Sequence, residues 1–468
     1  MRYISTRGAA PALAFDEVLL AGLARDGGLY VPEAWPQFSA TQIAALAGKS
    51  YPQVVAEITW PFVAGAIERV DYERLAGEAY AGFDHAAVAP LVQLDGGAWL
   101  MELFHGPTLS FKDYALQLLG RLLDHVLRKR GQRVTIVGAT SGDTGSAAIE
   151  AVKGRAAIDI FMLHPKGRVS EVQRRQMTSV MAPNVFNVAV EGNFDDCQDL
   201  VKAMFNDLAF RDEMKLTAVN SINFARIMAQ IAYYFWAAVA LGAPHRPVRF
   251  AVPTGNFGNV YSGYAAREMG LPIEHLQIGS NRNDILTRFF ESGAMKIEGV
   301  EPSLSPSMDI QVSSNFERLL FDLFGRRGPA VAETMATFRD KGLYEVGGNA
   351  LAAAHKLFSA YRLSDEETLA MIGEVRQRTG MVVDPHSAIG IAGPWRHGSD
   401  GAAPTIVLAT AHPAKFPDAV EKAIGLRPAL PAALADLLGR EERCAALPNA
   451  AAALQSYMRR HASLKGAA

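Results

Sequence analysis

From residue 134 onward the chain alternates short apolar, mostly β-branched runs with longer stretches of helical periodicity. The runs span residues 134–137, 158–163, 185–190, 248–252, 276–278 and 405–409, and each has the length of a strand buried on both faces. Short buried strands separated by helices predict parallel α/β sheet. The first 90 residues read differently. Helical segments at 15–24, 40–47 and 51–67 are punctuated by Pro and Gly, with no βαβ unit. Capping boxes mark helix starts at Ser314 with Glu317 and at Ser364 with Glu367, where a hydroxyl and a carboxylate satisfy opposite backbone donors. The expected organisation is a mostly helical N-terminal domain (1–90), a large α/β domain (91–135 and 240–468) and a smaller α/β domain (136–239).

Composition narrows the partners. The 46 Lys plus Arg nearly balance 48 Asp plus Glu, so the chain as a whole has no attraction for phosphodiester backbones or anionic lipid. Neither nucleic acid nor a membrane is an expected partner. The longest apolar run, 231–243, is shorter than the ~18 residues of a membrane span and reads as a buried helix. The apolar stretch 9–15 ends at Asp16 and Glu17, too short for a secretory signal. Cys197 and Cys444 are the only cysteines and form no CxxC motif, which fits a reducing compartment and makes the cytoplasm the expected location. The eleven histidines include no HExxH spacing, and no metal site is expected.

Two glycine loops carry the first chemical signal. One strand runs into Gly138-Ala139-Thr140-Ser141-Gly142-Asp143-Thr144-Gly145; another runs into Pro253-Thr254-Gly255-Asn256-Phe257-Gly258-Asn259. Each joins a strand to a helix N-terminus, where free amides and the helix dipole suit an anion. Two such loops about a hundred residues apart point to two sheets facing one cleft. A nucleotide is disfavoured. Neither loop is GxxxxGK[ST], Thr140 stands where a dinucleotide fingerprint has its second glycine, and the next strand ends in His164-Pro165 without a ribose-binding acid.

The segment His105-Gly-Pro-Thr-Leu-Ser-Phe111-Lys112-Asp113 leads from a Gly-Pro turn into a helix over 112–129. Lys112 follows Phe111 at that helix start, a setting that disfavours the ammonium and makes it a candidate nucleophilic amine. A lone lysine is more often a solvated surface group. Its company with two anion loops and a hydroxyl at a strand end changes the balance.

With these residues in place, the chain resembles the threonine synthases of the bacterial and fungal branch, within the tryptophan-synthase-β-like (fold type II) pyridoxal phosphate enzymes. The resemblance runs nearly end to end: Tyr3-Ile-Ser-Thr-Arg-Gly8, Asp26-Gly-Gly-Leu-Tyr-Val-Pro32, HGPTLSFKD, GATSGDTGSA, NSINFARI, VPTGNFGN, SPSMDIQVSSNFERL, DPHSAIG and ATAHPAKF. It departs at Ala409, where the family commonly has glycine. The implied fold is two parallel-type sheets flanking a cleft, beside a mostly helical N-terminal domain. The implied cofactor is pyridoxal 5'-phosphate, carried covalently by Lys112. Gly255, Asn256, Phe257 and Asn259 would hold its phosphate, and Thr410 would face its ring nitrogen. Thr140, Ser141, Asp143 and Thr144 would clamp a substrate carboxylate; Asn220, Asn223 and Arg226 would bind a substrate phosphate. The implied reaction turns O-phospho-L-homoserine and water into L-threonine and phosphate. Two alternatives stay open at this point: a phospho-lyase releasing 2-oxobutyrate, and a non-catalytic ligand-binding protein of the same fold. Monomer and homodimer are equally open.

Overall fold

The computed structural model describes residues 1–217, 222–398 and 403–463. The chain divides into two units, one of Met1–Phe111 with Ser221–Pro428 and one of Lys112–Asn220 with Ala429–Ala468.

The first unit is built on a six-stranded sheet in the order Phe358–Arg362, Ile273–Ser280, Val248–Pro253, Thr405–Ala409, Ala98–Glu102, Leu91–Gln93. Every neighbouring pair is parallel except the last, an antiparallel edge. The strand Thr405–Ala409 is buried at every position, as expected where helices cover both faces of a sheet. Met371, Ile372, Val375, Ile389 and Ile391 pack against Val407 and Ala409 in its core. The N-terminal strand Tyr3–Ser5 pairs with Tyr30–Pro32, and its neighbourhood is aromatic. Tyr3, Trp35 and Phe62 all meet the ring of Phe224, with centroids 5.2–6.4 Å apart. Phe224 opens the helix Phe224–Ala240, which holds most of the apolar run read as a buried helix, and Phe38 and Tyr51 meet Phe235 and Trp236 of that run.

The second unit holds a five-stranded, all-parallel sheet in the order Ala445–Leu447, Val185–Val190, Ile158–Pro165, Val134–Ala139, Leu216–Thr217. Cys197, Leu200, Met204 and Phe210 from its helices share a core with Leu454 and Met458 of the last helix, Ala451–His461. That strand and helix draw residues 429–463 into this unit, where the sequence had placed them with the large domain. The boundary at Lys112 likewise puts the whole helix Lys112–Lys129 in this unit.

Of the two expected capping boxes, one forms and one does not. Ser364 and Glu367 form the expected capping box, but the helix near Ser314 begins at Phe316 with Asn315 as its cap. Glu317 does not turn back to the helix start. Its carboxylate accepts from Thr6 Oγ1 at 2.6 Å and from Arg7 Nε and Nη2 at 3.0 and 2.9 Å, a charge-assisted bidentate pair that outweighs a local cap.

Candidate active site

In the first unit the segment before Lys112 is stitched to the segment after residue 409. Leu103 N–H donates to Ala409 O at 2.9 Å, Phe111 N–H to Thr410 O at 2.9 Å, and His412 N–H to Leu109 O at 3.0 Å. Lys415 Nζ donates to Thr108 O at 2.6 Å. Thr410 is therefore fixed beside the residue that precedes Lys112, and it is only 5% exposed.

The loop 254–259 follows the strand Val248–Pro253 and opens the helix Gly258–Glu268. Asn259 braces it: Nδ2 donates to Pro253 O at 3.0 Å, and Oδ1 accepts from Thr254 Oγ1 at 2.6 Å. The Asn259 side chain thus belongs to the loop, and what it offers a ligand is its backbone N–H. Among the described residues the N–H groups of Gly255, Asn256, Gly258 and Asn259 donate to no protein acceptor, whereas Phe257 N–H reaches Thr254 Oγ1 at 3.2 Å. Phe257 holds the left-handed conformation (φ +62°), uncommon for a bulky residue and found where surroundings impose it. A Cβ on Gly255 would lie 3.1 Å from Ile310 and from Met308 Cα, so any larger residue would push the loop or its neighbours by a few tenths of an ångström. Free amides at a helix N-terminus fit a phosphate dianion.

Arg226 lies in the first turn of Phe224–Ala240 and is 4% exposed. Its Nε and Nη1 are buried with no hydrogen-bond partner among the described residues, and burial draws the guanidinium down to about 10. It remains a cation at neutral pH, and a buried unpaired cation costs several kcal/mol unless an anion joins it. Asn223 is the helix cap: its Oδ1 accepts from Ala225 N–H at 3.0 Å, and its Nδ2 donates to Leu19 O at 2.9 Å. The helix thus begins three residues later than a start near Ser221. Asn220 lies outside the described residues.

In the second unit Lys112 is 8% exposed, and its Nζ lies 3.3 Å from Asp143 Oδ2. The other oxygen of Asp143 accepts from Gln173 Nε2 at 2.8 Å. The loop itself is closed by Thr140, whose hydroxyl accepts from Gly142 and Gly145 N–H, each at 2.9 Å. Gly142 caps the helix Asp143–Val152 at φ +146°, where a Cβ would fall 2.5 Å from the Gln173 amide. Ser141 is exposed and Thr144 half-buried at the same helix start. Gln173 was not among the expected site residues. Its signal is weak, one glutamine in a helix capped by Ser170.

His412 shows how the burial of this segment responds to pH. Burial, then the neighbouring His105, push its imidazole down to about 4. Its Nδ1 accepts from Ala414 N–H at 3.1 Å, a bond only the neutral ring makes. A folded value below the ordinary 6.5 means that the unfolded chain binds the proton first. Stability contributed by His412 is complete above pH 6.5 and is lost as pH falls toward 4. Urea titrations at pH 7 and pH 4.5 should show a stability drop smaller by about 2 kcal/mol in His412→Asn than in the parent; equal drops would refute the assignment.

Comparison with known proteins identifies the family. A family model described as pyridoxal-phosphate dependent enzyme matches residues 83–410, and models for the threonine synthase N terminus and C-terminal region match residues 2–80 and 387–458. A threonine synthase of Pseudomonas aeruginosa is 58% identical over 462 residues, 98% of each chain. A crystal structure of pyridoxal-phosphate-bound threonine synthase from Brucella melitensis superposes with a TM-score of 0.98 at 56% identity, covering 99% of this chain and 100% of that one. Yeast threonine synthase gives 0.94 at 36% identity, covering 98% of both. The fold and these matches define a fold type II pyridoxal phosphate enzyme. Within that class, the chain belongs to the threonine synthase family.

Proposed function

We propose that this enzyme converts O-phospho-L-homoserine and water into L-threonine and phosphate. The observation that carries the reading is Arg226, a buried guanidinium with two nitrogens unpartnered among the described residues, on a different helix from the one that the phosphate-suited loop at 255–259 opens. One anion site suits the cofactor phosphate; the other suits a substrate that brings its own. Asn223 has one N–H left beyond its cap to add to Arg226, and Asn220 completes the set by resemblance. For the substrate carboxylate, Thr140 braces the loop while Ser141 and Thr144 offer hydroxyls and amides. The Asp143 side chain is committed to Lys112 and Gln173, which leaves the substrate carboxylate to its neighbours Ser141 and Thr144.

Lys112 is assigned to bind the cofactor carbonyl carbon and, once displaced by the substrate amine, to move protons at substrate Cα and Cβ. Bound pyridoxal phosphate supplies an electron sink that lets phosphate leave from Cγ and water add at Cβ. Thr410 would offer a neutral hydroxyl to the ring nitrogen of the bound cofactor. Thr410→Ala should keep the bound cofactor's visible absorbance but shift it and lower kcat by about tenfold; an unchanged spectrum and rate would leave Thr410 as a strand-end residue only. The two free cysteines support a cytoplasmic location.

The test is product stoichiometry. Threonine and inorganic phosphate should appear in equal amounts from phosphohomoserine, and homoserine should be a very poor substrate. Phosphate release with 2-oxobutyrate in place of threonine would instead establish a phospho-lyase.

A further inference from the structure

Arg318 is completely buried yet remote in sequence from every residue assigned to ligand binding. Its guanidinium is spread over three segments of the first unit. Nε donates to Tyr30 O at 3.1 Å, Nη1 to Asn315 Oδ1, and Nη2 to Ile222 O. Each acceptor leads to something functional. Asn315 N–H donates to Asn256 O at 3.2 Å, inside the phosphate-suited loop. Ser313, two residues earlier, donates from Oγ to Gly255 O at 2.7 Å. Ile222 precedes the helix cap Asn223 and lies four residues before Arg226. Tyr30 belongs to the N-terminal strand pair, and the residue beside Arg318, Glu317, is clamped by Thr6 and Arg7 of the same segment.

We propose that Arg318 is a positioning residue that sets the loop 255–259 and the segment carrying Arg226 in register, with the N-terminal strand pair as its anchor. A fully buried guanidinium bonded to carbonyl and amide oxygens is a costly way to fill space. What it provides is a rigid planar fork whose three directions are fixed relative to one another, which the single point charge of a lysine cannot reproduce. Sub-ångström placement of anion-binding groups matters because their donors must meet phosphate oxygens without reorganising. The N-terminal region thereby acts on ligand binding without touching a ligand. The proposal rests on the functional reading above, in which loop 255–259 takes the cofactor phosphate and Arg226 the substrate phosphate.

The experiment compares holoenzymes of Arg318→Lys, Ser313→Ala and Gly255→Ala with the parent. Cofactor retention is followed by visible absorbance during dialysis, KM and kcat are measured on phosphohomoserine, and Tm is taken by circular dichroism. Arg318→Lys should lose cofactor at least tenfold faster and raise KM at least tenfold, with kcat at saturation within about threefold of the parent. Ser313→Ala should speed cofactor loss without moving KM, because it frees only the loop. Gly255→Ala reports on the underlying reading: normal retention there would remove the loop from the cofactor site, whatever Arg318 does. With retention impaired in Gly255→Ala, an Arg318→Lys enzyme of lowered Tm but parental retention and KM would overturn the proposal. Should Arg318→Lys not fold, Asn315→Ala carries the test, since it deletes the Nη1 acceptor and keeps the N–H bonded to Asn256. Parental retention in that variant would overturn the proposal equally.

Discussion

Replacing Lys112 by alanine should abolish turnover, by more than about 10^4-fold, and remove both the yellow colour of the purified protein and its borohydride-fixed cofactor adduct. The expectation follows from placement. Lys112 is 8% exposed at the start of its helix, facing a carboxylate that Gln173 holds from the other side. Lys129, at the far end of the same helix, is exposed and has the solvated stem and head of an ordinary surface lysine. Peptide mapping after reduction separates the two. An adduct on Lys129, or an alanine variant that keeps its absorbance and rate, would overturn the assignment. The Asp143 partner adds a second readout: Asp143→Asn should leave the cofactor bound but disturb proton movement at Lys112, visible as a displaced pH–rate profile.

Much of this arrangement was legible in the sequence because its signals are local. Each of the six apolar runs falls within an observed strand, since a doubly buried parallel strand has to be apolar at nearly every position. Both glycine loops sit at strand ends before helices for the same local reason. The strand Ala98–Glu102, next to the edge of its sheet, escaped notice. Ala-Trp-Leu-Met-Glu has no β-branched residue, and its place is set by the parallel partner Thr405–Ala409, three hundred residues away. Residues 445–447 and 451–461 were grouped with the large domain, and they lie in the unit of Lys112–Asn220, because nothing local says that a C-terminal strand will pair with Val185–Val190. The failed cap at Ser314 is the most instructive. Serine and glutamate three apart satisfy the capping pattern, but Thr6 and Arg7 reach Glu317 from three hundred residues away and take the carboxylate. Gln173, Ser313 and Arg318 went unassigned because their work is to hold other residues, and that role has no spacing rule.

Arg226 was named from its motif, but the sequence could not say that the helix would bury it with two nitrogens unpartnered. That fact sets activity and stability against each other. Among the described residues the guanidinium is a desolvated charge without a counter-ion, so Arg226→Met, which keeps the volume and removes the charge, should raise the stability of the cofactor-loaded, substrate-free enzyme by about 1 kcal/mol or more. The same change deletes charge-assisted bonds to the substrate phosphate, each worth roughly 1.5 to 3 kcal/mol, so kcat/KM for phosphohomoserine should fall by about 10- to 100-fold or more. Added inorganic phosphate provides an independent check. It should raise the Tm of the parent by occupying the Arg226 site and leave that of Arg226→Met nearly unmoved. A variant that loses stability and keeps its kcat/KM would make Arg226 a structural residue whose partner lies elsewhere, while a gain in stability with a loss of kcat/KM places the substrate phosphate at this guanidinium.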